Sequence, residues 1–263
     1  MKRTAVGNVE VFALVDTVAA YPAAAVYPEA GDALAEFKRY LDDEGRIELN
    51  FACFLLVDGD RRILVDTGYA AGSGGKLLEE IAATGVKASE IDTVIFTHLH
   101  GDHTAWNLED GKPRFANARY LVPRLDWDHY RSQTPPPDSF TRDVAPLEEL
   151  GCLELIGGER PLTDAITALP TPGHTPGHTS LAIVSGGEHG FVLGDVVISP
   201  IDAERPDLKN GFDWDHEKAH ATRQATLARL IEEDALVAAS HLPVPGLGRF
   251  VRTSGGQMWQ GVG

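Results

Sequence analysis

Thr97-His98-Leu99-His100-Gly101-Asp102-His103 places three imidazoles and one carboxylate within six residues, His98 to His103. Imidazole nitrogen and carboxylate oxygen are the donors that Zn²⁺ and its first-row neighbours accept when no thiolate is on offer. The stretch is therefore read as the front of a metal site rather than as a surface histidine cluster. Just upstream, Ile91-Asp92-Thr93-Val94-Ile95-Phe96 is a β-branched and aromatic run of strand character. His98 and His100 fall past its carboxyl end, where alternation points both rings to one side. Gly101 permits a turn, after which Asp102 and His103 are expected to open a short helix and face back at the same point. A loop at the end of a strand is a rigid place to hang ligands, and α/β folds put their sites there.

Working outward, the next informative stretch is Thr171-Pro172-Gly173-His174-Thr175-Pro176-Gly177-His178. Two Pro-Gly pairs make consecutive tight turns with positive φ available at each glycine, which holds a histidine such as His174 at a defined angle. Strands over 179–184 and 190–193 read as a hairpin that runs out at Gly194-Asp195. A carboxylate ending an apolar strand is a poor core residue and a good ligand. The spacing of Ala219, Thr222, Ala225, Leu227 and Leu230 describes an amphipathic helix over 215–232. A short buried strand over 236–239 then delivers His241. Thus His98, His100, Asp195 and His241 all follow strands, while His174 sits on a turn.

Toward the N-terminus, Val9 to Val15 reads as the first strand. Residues 16–50 read as an irregular Ala/Pro-rich excursion with one helix around Ala33 to Leu41, forming either a lid or a dimer contact. Strands over 51–57 and 62–65 flank Asp58-Gly59-Asp60 as a hairpin. The second ends in Asp66-Thr67-Gly68, where Asp66 either caps the turn or supports the metal loop from behind. A helix over 75–84 closes at Gly85, a strand over 119–122 leads into a helix over 123–130, and short strands follow near 153–156 and 165–169. Tyr69, Trp106, Phe212 and Trp214 lie just past metal-bearing or turn segments. They are candidates for an apolar pocket wall or an oxyanion donor, with core packing as the alternative. His129, His189, His216 and His220 are read as surface or structural residues.

The 263 residues, 43% of them hydrophobic, suffice for a sizeable core, and a single domain over 1–263 is expected. Lys and Arg number 23 against 39 Asp and Glu, and the net charge of -16 repels a phosphate backbone, which argues against nucleic acid. Cys53 and Cys152 lack C-x-x-C spacing and read as two buried thiols in a reducing compartment. Asn8, Glu10 and Asp16 interrupt any leader-like apolar run, and no window approaches a membrane span, so a soluble cytoplasmic protein is expected.

The H-x-H-x-D-H run, the downstream Gly-His-Thr-Pro-Gly-His, an Asp after an apolar strand, a final His and the Asp66-Thr67-Gly68 turn together resemble the metallo-β-lactamase superfamily over residues 66–241. The resemblance implies an α+β fold, a four-layer αββα sandwich with the site along one edge of its two sheets. It also implies that one metal is bound by His98, His100 and His174 and a second by Asp102, His103 and His241, with Asp195 bridging them. His178 then becomes a supporting or structural residue. Two divalent ions so held, Zn²⁺ first with Co, Mn or Fe as alternatives, leave a place for a bridging water or hydroxide available at neutral pH. Asp102 would pass a proton to the leaving group. Asp195, where the commonest true β-lactamases carry cysteine, argues against antibiotic hydrolysis. The ending from Phe212 to Arg249 most resembles the lactonase and methyl parathion hydrolase branch. The expected reaction is hydrolysis of a small, largely apolar ester or lactone, with phosphotriesters as a side activity. The expected partner is a small molecule, and a homodimer is a further expectation. Two other classes use the same donors: a di-iron or one-iron oxidoreductase, and a non-catalytic protein that keeps metals for stability. A nuclease is set back by the acidic balance.

Overall fold

Alternation along the strands decides which layer each side chain joins. In the strand Arg46–Asp58, Ala52, Phe54 and Leu56 enter one apolar cluster while Cys53 and Leu55 enter another on the opposite face. The structure, a computed structural model, describes residues 1–262. Its first sheet runs in chain order through β1 (Lys2–Val6), β2 (Val9–Pro22), β3 (Arg46–Asp58), β4 (Arg61–Val65), β5 (Thr93–Ile95), β6 (Arg119–Pro123) and β7 (Leu153–Ile156). The second runs through β8 (Arg160–Pro161), β9 (Ile166–Pro170), β10 (Thr179–Ser185), β11 (Glu188–Val192), β12 (Leu236–Ala238), β13 (Leu247–Thr253) and β14 (Gly256–Gly261).

The two sheets face each other across one cluster, to which Phe54, Leu56 and Ile63 contribute from the first sheet and Ile166, Leu181 and Val192 from the second. Helices α1 (Leu77–Ala83) and α2 (Arg124–Arg131) cover the outer face of the first sheet through Leu77, Ile81, Trp127 and Tyr130. Helix α3 (His216–Glu232), capped by the Asp215 carboxylate on the Lys218 N–H at 3.0 Å, covers the second through Leu227 and Leu230. The expected α+β four-layer αββα sandwich is the architecture that forms. No helix among the described residues is long and apolar enough to cross a membrane.

Several local expectations need correction. The strand at Val9 is the second, because Lys2–Val6 pairs ahead of it. Residues 16–50 are mostly not irregular: β2 continues to Pro22 and β3 begins at Arg46, the two pairing throughout with a register shift between Val15 and Thr17. The half-exposed Thr17 to Tyr21 run is too polar-sided and Ala-rich to announce a strand, and partner hydrogen bonds settle it. The true excursion is 23–45. Its helical part, Gly31–Tyr40, is 3₁₀, and it packs Tyr27 and Phe37 on Ile47, Leu49, Phe51, Ile198 and Ile201. The backbone after Gly101 does not open a helix, because its hydrogen bonds go elsewhere. The Thr67 N–H donates to the His103 carbonyl at 2.7 Å, and the Ala105 and Trp106 N–H groups donate to Gly68 and Thr67. Cys53 and Cys152 are both free, but Cys152 is only half-buried.

Candidate metal centre

Two parallel strand pairs, β4 with β5 and β11 with β12, bring their carboxyl ends to one edge of the sandwich. Asp66 ends β4, His98 follows β5, Asp195 follows β11 and His241 follows β12. His174 reaches the same edge from the double Pro-Gly turn. That turn lies tight on α3: a Cβ at Gly173, whose φ is +142°, would stand 2.3 Å from the Ala219 Cα. Main-chain bonds from Asp215 to the Gly173 carbonyl and from Trp214 to the His174 carbonyl, both 3.0 Å, hold it there.

The donor atoms converge in three sets within 4.8 Å: His98, His100 and His174; His98, His103 and Asp195; Asp102, His103 and His241. His98 Nε2 and His174 Nε2 lie 3.1 and 3.0 Å from His100 Nδ1. His103 Nε2 and His241 Nε2 lie 3.6 and 3.5 Å from Asp102 Oδ2. Asp195 stands between the groups. Its Oδ1 is 3.3 Å from His103 Nε2, and its Oδ2 is 3.3, 3.1 and 3.7 Å from the Nε2 atoms of His174, His241 and His98. Two donors about 2.1 Å from one tetrahedral ion lie about 3.4 Å apart, so these separations suit shared ions.

The outer ring nitrogens fix what the inner ones can be. His103 Nδ1 faces Asp66 Oδ2 at 2.8 Å, His174 Nδ1 faces Asp213 Oδ1 at 3.2 Å, and His241 Nδ1 faces the Asn50 carbonyl at 2.7 Å. Carboxylates and carbonyls only accept, so each Nδ1 carries the proton. Thr97 Oγ1 donates to Asp66 Oδ2 at 2.8 Å and so accepts from His98 Nδ1 at 3.0 Å. In their neutral form these four imidazoles therefore aim Nε2 lone pairs at one another and at a buried carboxylate. His103 Nε2 and Asp195 Oδ1 have no hydrogen-bond partner among the described residues. Acceptors facing acceptors in a buried site are costly unless a cation lies between them, and the residues present fit divalent metal.

Without a cation among them, burial and the carboxylates divide the rings into two groups. Burial, then the neighbouring rings, pushes His98 well below its usual value, and His100 is lowered to about 4. Burial opposes protonation of His103 and His241 too, but Asp195 and Asp102 outweigh it and raise both. Burial would likewise raise Asp195, yet His241, His103 and His98 hold it well below the carboxylate range.

Asp66 therefore supports the loop: at φ +62° it accepts the Thr97 N–H and Oγ1–H, both at 2.8 Å, as well as His103. His178 is buried, with Nδ1 on Thr171 Oγ1 at 2.8 Å and Nε2 accepting the Asp195 N–H at 2.9 Å, so it positions Asp195. Sequence reasoning missed Asp213, which orients His174 and pairs with the buried Arg223 at 3.0 Å. It also missed Asp126, which accepts from Thr175 Oγ1 and the Gly177 N–H and so ties the His174 turn to α2. A buried arginine in an amphipathic helix was the available signal, since it demands an acid opposite.

A cavity of about 360 Å³ opens over the donors. Its other side chains are Tyr21, Leu49, Phe51, Tyr69, Ile198 and Phe212, and no Lys or Arg among the described residues lines it. Tyr69 and Phe212 thus stand on the wall. Trp106 and Trp214 do not, and this corrects the expectation for both. The Trp106 indole N–H donates to Asp16 Oδ1 at 3.1 Å, drawn there by a carboxylate that also collects the Tyr69, Ala70 and Leu77 N–H groups. The Trp214 ring is 50% exposed beside Lys218 and His129; its backbone, not its indole, serves the site.

The family model described as the metallo-beta-lactamase superfamily matches residues 50–241, a span containing every donor. The chain belongs to that superfamily. Among relatives, it is similar to the N-acyl homoserine lactonase of Bacillus cereus, 28% identical over 165 residues, 54% of this chain and 60% of that protein. The chain spans about three-fifths of the length of the curated lactonases it matches. Among solved structures, AidC, a dizinc quorum-quenching lactonase in complex with a product, N-hexanoyl-L-homoserine, superposes with a TM-score of 0.86 at 25% identity, over 100% of this chain and 97% of that one. AbOPH, a hydrolase in the beta lactamase superfamily, also gives 0.86, at 26% identity over 99% and 97% of the two chains.

Proposed function

We propose that this protein is a dinuclear metal-dependent hydrolase of small, neutral esters, with lactones as the favoured class. The observation that carries the reading is the ring of four imidazoles whose outer hydrogen bonds leave bare nitrogens facing a shared carboxylate. His98, His100 and His174 would hold one ion, and Asp102, His103 and His241 the other, with Asp195 common to both. An all imidazole and carboxylate set suits Zn²⁺, and the dizinc description of AidC supports that choice. When bound, two such ions supply an acidified water near neutral pH and a Lewis acid for the carbonyl oxygen. Asp102, its side chain 25% exposed against 3% for Asp195, is the carboxylate able to exchange protons with substrate and solvent, and we assign it the transfer to the leaving alkoxide. The rest of the wall excludes water and holds an apolar substituent.

The same wall supports a choice of charge class. With no cation in reach, a substrate carboxylate or phosphomonoester would enter unpaired, so anionic β-lactams and nucleic acids are disfavoured. Neutral phosphotriesters stay admissible as a side reaction. Free thiols at Cys53 and Cys152 support a reducing compartment. Steady-state turnover by the metal-loaded protein tests the proposal. Lactones and aryl esters should be hydrolysed, the activity should vanish on chelation and return with Zn²⁺ or Co²⁺, and a carboxylate-bearing β-lactam should be inert. Absence of turnover on every neutral ester and lactone would leave a metal-binding protein without this chemistry.

A further inference from the structure

Apart from the donors, the cavity wall is apolar at every side chain except two. Among Tyr21, Leu49, Phe51, Tyr69, Ile198 and Phe212, only the tyrosines carry a polar atom. They arrive from distant parts of the chain. Tyr21 lies at the end of β2, beyond the register shift, and Tyr69 follows the Asp66 turn, its N–H held by Asp16 Oδ2 at 2.9 Å. Phe51 locks both rings in place. Tyr69 stacks on it at 4.9 Å and 26°, Tyr21 tilts against it at 6.2 Å, and Phe51 itself stands edge-on to His241 at 5.0 Å. The phenols are therefore fixed relative to the donor set by a continuous aromatic stack.

Burial first, then the neighbouring Tyr69, pushes the Tyr21 phenol up to about 12. A phenol so raised keeps its proton at neutral pH and serves as a donor. Tyr69, 46% exposed against the half-buried Tyr21, presents the more open O–H to an entering molecule. The charge of Asp102 also faces this pair, which disfavours an anion as its ligand.

We propose that the Tyr21–Tyr69 hydroxyl pair is a specificity element that recognises a neutral hydrogen-bond acceptor of the substrate lying outside the scissile bond, such as an amide carbonyl on the lactone ring. The idea rests on the hydrolase reading above and deepens it: Tyr69 touches the substrate, and Tyr21, packed on the same Phe51 ring, positions it.

The test compares a plain γ-lactone with the same ring bearing an α-acylamido group, using metal-loaded wild type, Tyr69→Phe, Tyr21→Phe and the double variant. Tyr69→Phe should lower kcat/KM for the acylamido lactone about tenfold more than for the plain lactone, chiefly through KM. Tyr21→Phe should cost less and add nothing in the Tyr69→Phe background, since its effect passes through Tyr69. Equal losses on the two lactones, no loss on either, or additive effects would overturn the proposal. If wild type turns over neither lactone, the hydrolase reading falls, and calorimetric affinity for the acylamido lactone decides the pair. Binding about tenfold weaker in Tyr69→Phe upholds it, and equal affinity overturns it.

Discussion

Asp195→Asn is expected to lower kcat/KM by at least about 10³-fold, beyond the 10–100-fold typical of residues one shell removed from a metal. The reason is geometric as well as electrostatic. Asp195 is buried, with one oxygen 3.3 Å from His103 Nε2 and the other 3.1 to 3.7 Å from three further imidazoles. No other carboxylate among the described residues reaches both triads. An amide presents one carbonyl oxygen and one NH₂ donor, and the donor end would face bare lone pairs or cations. The negative charge that makes a pair of divalent ions tolerable also disappears. Metal content should therefore fall along with activity. Circular dichroism should stay native, because the Asp195 N–H bond to His178 is main-chain and survives. Activity retained within tenfold would show that the shared carboxylate is not needed.

Arg223→Ala should cost about 3–5 kcal/mol of stability, the range for stripping one partner from a buried ion pair. Arg223 is 1% exposed on α3; its Nε donates to the Val196 carbonyl at 2.8 Å and its Nη2 to Asp213 Oδ2 at 3.0 Å, and its charge also faces buried Asp202. Removing it leaves two carboxylates inside the protein without a counter-charge. The melting temperature should drop by roughly 10 °C at neutral pH. The pH dependence carries a sign. Burial alone would raise Asp213, but the hydrogen bond from His174 and the charge of Arg223 hold it below the usual range. Its contribution is thus present above the ordinary aspartate pKa and is lost as pH falls through the lowered folded value. The gap between variant and wild type should narrow on acidification, because a neutral carboxyl needs no cation. A gap of the same size at pH 3 and pH 7 would mean that lost packing, not lost charge, is responsible. Because Asp213 also orients His174, the variant should bind metal more weakly as well.

What the chain discloses by itself follows from the range of each signal. Metal donors crowded into His98–His103, and turn chemistry around His174, are local in sequence, so they could be read directly. Asp195 and His241 were legible because a polar residue closing an apolar strand conflicts with the core. Asp213 and Asp126 act through partners 39 to 51 positions away, and no local pattern marks them, whereas Arg223 is marked by falling between Ala219 and Leu227 on the buried stripe of its helix. The strands nearest the two ends of the chain were missed for a related reason: Lys2-Arg3-Thr4 and Arg249-Phe250-Val251-Arg252 show a solvent face, and only pairing makes them strands. The indoles mislead because nearness in sequence to a metal loop does not set direction. Trp106 is claimed by Asp16, a residue 90 positions earlier.

The most direct test of the central claim is anomalous scattering at the zinc edge from a crystal of the zinc-loaded protein. Two peaks are expected, one among His98, His100 and His174 and one among Asp102, His103 and His241, both within bonding reach of Asp195. A single peak, or a second one lying away from Asp102 and His241, would contradict it.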